Sequence, residues 1–313
     1  MDFSPITRNA GGNSAKIEVM DNGRQYRRGT NVSTGLIFEG GGMRGVFSAG
    51  VIDFLLEKDV RPDIVYGVSA GASGAASFVC GQKGRAAATM IDYLDDPHFM
   101  GMKSLRKTGN YFNTDFLYHQ IPEKLNPIDQ KGFEERGIRL KIAVTNCITG
   151  EAEYPEIHHM IEDMDLFRAS SSLPLLAQMV PLNGYVYLDG GIADSVPVRK
   201  SEEDGNEKNI VVLTRSLGYR KKQEYAILPM IRAKYRRYPK LIEALERRPR
   251  VYNETLEYIQ SGMEKGSIFV IAPMGPLGIH RTESDRSKLV KAYHEGYYVA
   301  EGLYDRLMHF LES

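Results

Sequence analysis

A serine framed by glycines, Gly67-Val68-Ser69-Ala70-Gly71, follows the apolar run Ile64-Val65-Tyr66 and precedes a stretch of small residues. A Gly-x-Ser-x-Gly turn between a strand and a helix exposes the serine Oγ, because the glycines let the chain reverse sharply. The chemistry open to such a serine is nucleophilic attack on an acyl carbonyl. By itself the motif is weak, since composition alone supplies it in roughly one chain in ten of this length. Its place after a predicted strand and before a predicted helix gives it weight.

A second loop could complete the chemistry. Gly40-Gly41-Gly42-Met43-Arg44-Gly45 follows the apolar run Leu36-Ile37-Phe38 and opens a helical pattern carrying Val46, Ala49, Val51, Phe54 and Leu55. Gly42 lies 27 residues before Ser69, room for one helix and one strand. A right-handed crossover sets two such strands side by side or nearly so, with both loops at the carboxyl ends where open α/β sheets bind ligands. Main-chain N–H groups from Gly40 to Gly45 would then face the oxyanion formed when Ser69 attacks, and one such donor is worth about 3 kcal/mol.

The same residues also fit Gly-x-Gly-x-x-Gly, which predicts a nucleotide-binding protein with Gly40–Gly45 as a phosphate cradle. That reading requires an acid about 20 residues on, at the end of the second strand, to hold a ribose. Glu57 and Asp59 fall before that strand, which ends in Val68-Ser69, and no P-loop lysine follows the glycines. The oxyanion reading is preferred, and the nucleotide cradle is the alternative.

An acyl-transfer serine needs a base. The histidines beyond position 189 are His280, His294 and His309, and the last two fall inside a predicted helix. Asp189 is better placed: it closes the apolar strand Tyr185-Val186-Tyr187-Leu188, and Gly190-Gly191 after it allow another loop to come close. Taken alone, Asp-Gly-Gly is simply a turn. His158 and His159 are adjacent, so their side chains diverge and would chelate poorly. Cys80 and Cys147 give no ligand spacing and read as reduced, buried thiols of a cytosolic protein, and no metal or other cofactor is expected.

The elements that must position these residues alternate. The 313 residues carry zero formal net charge, which gives no electrostatic reason to expect a nucleic-acid partner. Residues 1–33 read as a polar arm with turns at Gly11-Gly12-Asn13 and Asp21-Asn22-Gly23 and without the apolar region of a secretory signal. Residues 82–137 look helical and looped, broken at Pro97, Pro122 and Pro127. Ile138 to Val144 alternates as a strand does, with a hairpin partner ending at Pro155. Asn209 to Thr214 and Ser267 to Ala272 are short apolar runs of the kind central parallel strands show.

Residues 225–262 are predicted helical with interruptions or kinks at Pro229, Pro239 and Pro249. An amphipathic helix from about Ser284 to Leu311 closes the chain, with Leu289, Ala292, Tyr293, Gly296, Ala300, Leu303, Leu307 and Phe310 on one side. Strands alternating with helices predict an α/β fold whose largely parallel sheet is covered on both faces.

Four ordered segments, Gly40 to Gly45, Gly67 to Gly71, Ala169-Ser170 through Pro174, and Asp189-Gly190-Gly191, resemble the signatures of the patatin-like phospholipase family, over residues 35–216. The resemblance implies a patatin-like three-layer sandwich over residues 34–216, with residues 217–313 as a helical C-terminal region carrying one further strand. It implies a Ser–Asp dyad without a catalytic histidine: Ser69 as nucleophile, Asp189 as proton acceptor, and the glycine loop as oxyanion hole. The substrate it implies is a lipid or related ester. One departure is Ser195-Val196-Pro197, where many members carry Asn-x-Pro. A free aspartate titrates at about 3.9 and is a poor base for a hydroxyl, so burial must raise it.

Two basic features remain. Arg44 reads first as ordering the glycine loop by pairing with an acid, with a phosphate head group as the other reading. From Arg215 to Arg250 there are 12 Lys or Arg against three Glu. That stretch reads first as a solvated face or an internal contact; the other reading is a basic amphipathic surface for anionic lipid. The localisation expected is cytoplasmic, with peripheral contact at a membrane. Oligomeric state is not encoded in any of these features.

Overall fold

The computed structural model describes residues 32–313. Residues 1–31 of the expected polar arm lie outside the described residues; the carbonyl of Ser33 accepts N–H bonds from Glu207 and Lys208 at 3.0 and 3.2 Å.

β1 (Thr34–Phe38) leads through a 3-10 turn (Gly42–Arg44) into α1 (Gly45–Glu57), and β2 (Ile64–Val68) leads directly into α2 (Ala70–Val79). A helical excursion follows: α3 (Arg85–Ile91), α4 (Met102–Thr108), a π-helical stretch (Phe116–Leu125) and α5 (Gln130–Arg136). Pro122 was expected to break this region and instead sits within the π-helical stretch. β3 (Arg139–Asn146) comes next, and the short β4 (Ala152–Glu153) and β5 (Glu156–Ile157) both pair antiparallel with it, as the hairpin expectation required.

Then come α6 (Met164–Ser170), β6 (Val180–Leu182), β7 (Tyr185–Asp189), α7 (Val198–Glu203) and β8 (Lys208–Val212). The chain ends with α8 (Leu228–Lys234), α9 (Pro239–Lys265), β9 (Ile268–Ile271) and α10 (Arg286–Glu312).

The sheet runs β6-β7-β3-β2-β1-β8-β9. β3, β2, β1, β8 and β9 are mutually parallel, whereas β7 runs antiparallel to β3, and β6 to β7. β9 is thus an edge strand rather than the central one its apolar run implied; α9 and α10 both pack on it, which accounts for its apolar composition.

Alternation along the strands builds two cores. Leu36 and Phe38 face α1, α2 and α10, while Ile37 and Tyr66 face Tyr252, Leu256 and Ile259 of α9. The result is a three-layer α/β sandwich with a mostly parallel sheet. Burying one such leucine or isoleucine side chain contributes about 1.5–3 kcal/mol. α10 crosses α1 at very short range: a Cβ on Gly50 would lie 2.0 Å from the Tyr293 carbonyl, and one on Gly296 would lie 2.0 Å from that of Phe47. Asp285 caps α10 by accepting the N–H of Ser287 at 2.9 Å.

The helical region is interrupted between Lys234 and Pro239, and none of the three prolines breaks a helix from within. Pro229 and Pro239 sit in the first turns of α8 and α9, where no intrahelical N–H bond is lost. Pro249 lies inside α9, which continues through it to Lys265.

Candidate active site

Parallel strands end on a common edge, and the loops there converge. Ser69 occupies the turn from β2 to α2 with φ 55° and ψ −125°, a sparsely populated conformation that costs on the order of 1–3 kcal/mol. The glycines around it permit the close approach this turn demands, since a Cβ on Gly67 would stand 2.5 Å from Ala72 Cα, and one on Gly71 2.4 Å from the Phe38 carbonyl. The N–H of Ser69 donates to Ser170 Oγ at 2.9 Å, and that hydroxyl donates in turn to the Ala143 carbonyl at 2.7 Å. Ser170 therefore ties the serine turn to β3.

Register explains how Asp189 arrives from 120 residues away. Val68 is level with Ala143, and the next β3 residue, Val144, is level with Asp189 on β7. The residue after β2 and the last residue of β7 thus reach the same height on the sheet edge. Gly190 passes so close to β3 that a Cβ there would lie 2.1 Å from the Ala143 carbonyl. Asp189 Oδ1 accepts the N–H of Gly191 at 2.8 Å, while Oδ2 is buried without a hydrogen-bond partner among the described residues.

Burial pushes the Asp189 carboxyl above the usual aspartate range; Arg248, the Ser69 hydroxyl, the Gly191 N–H and Arg281 pull the other way, and burial prevails.

The glycine loop sits beside Ser69, because a Cβ on Gly40 would lie 3.0 Å from Ser69 Cβ. Gly42 has φ +57°, and a Cβ there would meet the Arg281 carbonyl at 2.5 Å. The loop residues grouped in the sequence separate into two sets here. Met43 donates its N–H to the Arg281 carbonyl at 3.1 Å, Arg44 to Gly41 at 3.4 Å, and Gly45 to carbonyls of its own turn. Among the described residues no protein acceptor takes the N–H of Gly40, Gly41 or Gly42. The loop is braced by Glu39, whose carboxylate accepts the Thr214 N–H at 2.6 Å and the Tyr252 hydroxyl at 2.7 Å.

Arg44 does not make the pairing its position implied. It is buried, its Nε has no partner among the described residues, and its pKa falls to about 10, chiefly through desolvation and then the neighbouring charge of Arg215.

Two cavities meet at Ser69. One, of about 130 Å³, is largely apolar and runs between α2, α3 and the π-helical stretch, past Met90, Phe99, Phe112 and Leu117. The other, of about 30 Å³, is polar and is bordered by Asp189, Gly40, Gly41 and Gly42. No histidine lines either cavity. The acid that a dinucleotide site requires is also missing, for β2 ends at Val68, Glu57 closes α1 and Asp59 lies in the turn after it.

The basic 215–250 stretch is not one continuous surface. Arg215, Lys221 and Arg248 line the polar cavity, and Arg232, Lys234, Arg236, Arg237 and Lys240 are exposed. Cys80 and Cys147 are buried free thiols, each pushed up to about 12, first of all by burial. Among the described residues no helix is long and apolar enough to cross a membrane.

Comparison with known proteins places the chain in a family. The patatin-like phospholipase family matches residues 36–200, which is more than half of the chain. The chain belongs to the patatin-like phospholipase family. A second family, a domain of unknown function (DUF6363), matches residues 238–312.

The uncharacterized protein YjjU of Escherichia coli is 28% identical over 77% of this chain and 69% of its own length. A lysophospholipase of Meyerozyma guilliermondii is 28% identical over 68% of this chain but only 15% of its own length. Human patatin-like phospholipase domain-containing protein 2 is 30% identical over 51% of this chain and 32% of its own. The crystal structure of VipD from Legionella pneumophila is similar at a TM-score of 0.49 with 13% identity, covering 88% of this chain and 67% of that one.

Proposed function

We propose that this chain is a serine acyl hydrolase that cleaves fatty-acyl esters of phospholipids or related lipids through a dyad of Ser69 and Asp189. The observation that carries the reading is the position of Ser69 on the wall shared by an apolar cavity and a polar one, with Asp189 on the polar side. An acyl chain fits the first, and the alcohol side of the ester fits the second. Membership of the phospholipase family and the lysophospholipase name of one relative support the same substrate class.

In the mechanism, Ser69 Oγ bonds to the ester carbon as its proton passes to Asp189 Oδ2. The oxyanion takes hydrogen bonds from the N–H groups of Gly40, Gly41 or Gly42, helped by the positive end of α2. The carbon–alcohol oxygen bond then breaks, and Asp189 returns the proton to the leaving alcohol. Water adds to the acyl-enzyme with its proton going to Asp189, the Oγ–acyl bond breaks, and Ser69 recovers the proton. Met43, Arg44 and Gly45 shape the loop in this scheme; their N–H groups are already committed. Gly67 and Gly71 permit the serine turn, and Gly190 and Gly191 seat the aspartate.

Hydrolysis of a chromogenic medium-chain ester tests this reading. Ser69→Ala and Asp189→Asn each abolish turnover while circular dichroism shows a folded protein; near-native rates in either variant would rule out the dyad.

Peripheral membrane contact through the exposed cations of α8 and the following turn is part of the proposal. Met230 is 55% exposed and Tyr225 76% exposed beside them, an apolar and basic mixture suited to a lipid surface. Co-sedimentation with liposomes that depends on anionic lipid supports the contact, and binding indifferent to lipid charge refutes it.

A further inference from the structure

We infer that the polar cavity beside Ser69 seats a phosphomonoester carried on the alcohol side of the substrate. The inference rests on Ser69 being the nucleophile and adds the chemical class of the head group.

Five cationic side chains line this cavity, those of Arg44, Arg215, Lys221, Arg248 and Arg281, against two carboxylates, those of Glu39 and Asp189. Five minus two leaves a formal +3 with both acids ionised. Neither acid neutralises the cations by direct pairing: Glu39 is held by Thr214 and Tyr252, and Asp189 by Gly191. Among the described residues none of the five cations forms an ion pair.

What they touch instead leaves charge to spare. Lys221 Nζ stands 4.0 Å from the centre of the Tyr252 ring, Arg215 lies 4.6 Å over the Tyr219 ring, and Arg248 Nε donates to the Gly191 carbonyl at 2.5 Å. Burial and mutual repulsion lower the pKa of Lys221, with Arg248 the first neighbour responsible, and likewise that of Arg248, with Arg281 first. Concentrated, under-neutralised positive charge at partly dehydrated side chains is the electrostatic complement of a compact polyanion.

Size and charge select among anionic groups. At roughly 10–15 Å³ for each water-sized sphere, the cavity admits a few oxygen-sized atoms and no acyl chain. A phosphomonoester carries about −1.5 to −2 near neutral pH and accepts bonds on three oxygens, which suits guanidinium forks. A phosphodiester ending in an ammonium group would bring a cation among cations.

Arg248 comes from α9 and Arg281 from the β9–α10 loop, so the domain of unknown function supplies two of the five cations and also, through the Arg281 carbonyl, anchors Met43 of the glycine loop. That domain then acts as the head-group wall of the site.

The test compares esters of one acyl chain on glycerol, on glycerol 3-phosphate and on glycerophosphocholine. The expected kcat/KM for the phosphomonoester is at least tenfold above both others, and the preference ratio falls at least tenfold in Lys221→Gln and Arg281→Gln. Equal rates for the three esters, or an undiminished ratio in both variants, would overturn the inference while leaving the dyad standing.

Inorganic phosphate separates the sources of the anion. Competitive inhibition of phosphomonoester hydrolysis supports a head-group seat, and a phosphate-induced rise in melting temperature without competition marks a regulatory site and overturns it. If no ester is hydrolysed, the dyad reading fails. The cavity is then judged by that melting shift alone: present in the native protein and lost in both variants supports anion binding, and its absence rejects it.

Discussion

Ser170 Oγ accepts the main-chain N–H of Ser69 at 2.9 Å and donates to the Ala143 carbonyl at 2.7 Å, so one hydroxyl joins the serine turn to β3. Ser170→Ala leaves a buried donor and a buried acceptor without this partner, which costs about 1–3 kcal/mol for an unsatisfied group. The expected outcome is a protein that remains folded, melts several degrees lower and loses much of its esterase kcat. Unchanged melting and kcat together would show that the bridge is dispensable.

In the proposed dyad Asp189 sets the pH behaviour. Its carboxyl would have to be ionised to accept the Ser69 proton, and burial raises its pKa, so hydrolysis is expected to fall off on the acid side at a pH above the usual aspartate value of about 3.9. The groups facing it are Arg248, Arg281, the Ser69 hydroxyl and the Gly191 N–H. A pH–rate profile whose acid limb sits at or below the ordinary aspartate value contradicts this assignment.

Stability carries the opposite sign. A native pKa raised above the unfolded one contributes stability that is complete below the unfolded pKa and lost as pH rises through the native pKa. At neutral pH the ionised Asp189 therefore opposes folding. Asp189→Asn is expected to melt above the native protein at pH 7–8, with the difference shrinking as pH falls. A variant that melts lower across this whole range would show that the charge is stabilising where it sits.

Gly42 combines φ +57° with a 2.5 Å approach of any Cβ to the Arg281 carbonyl. Gly42→Ala costs about 1–2 kcal/mol from the left-handed conformation, and the clash displaces the carbonyl that anchors Met43. Esterase kcat is expected to drop at least tenfold with KM changed less, measured on the same chromogenic ester. Native kcat would mean that the loop tolerates a side chain and that its conformation is not tied to the reaction.

Leu117 lines the apolar cavity on the π-helical stretch. Leu117→Trp fills part of the space proposed for the acyl chain, at an overpacking cost of about 1–3 kcal/mol. The optimum chain length in an ester series is expected to shorten by several carbons. An unchanged optimum would place the chain elsewhere.

Much of the fold and the candidate site was legible because it rests on local chemistry. Short apolar runs ending in glycines located β1 and β2, and the alternation of Leu36 and Phe38 against Ile37 gave a sheet covered on both faces. The antiparallel direction of β7 was not legible, since strand direction depends on pairing with β3 rather than on composition. β9 was read as central because an edge strand covered by two helices looks as apolar as an interior one.

The role of Ser170 left no pattern beyond its place in a family signature, because its partners lie 101 and 27 residues away. Which cations of the basic stretch turn inward was hidden for a related reason. Charge counts do not show orientation, and Arg215, Lys221 and Arg248 turn inward while their neighbours face solvent.

The most direct test of the central claim is labelling with a fluorophosphonate, which reacts with an activated serine and leaves a stable adduct. Peptide mass mapping is expected to find the adduct on Ser69, to lose it in Ser69→Ala and to find it formed far more slowly in Asp189→Asn. An adduct on another serine, or a folded native protein that takes up no label, would contradict the account.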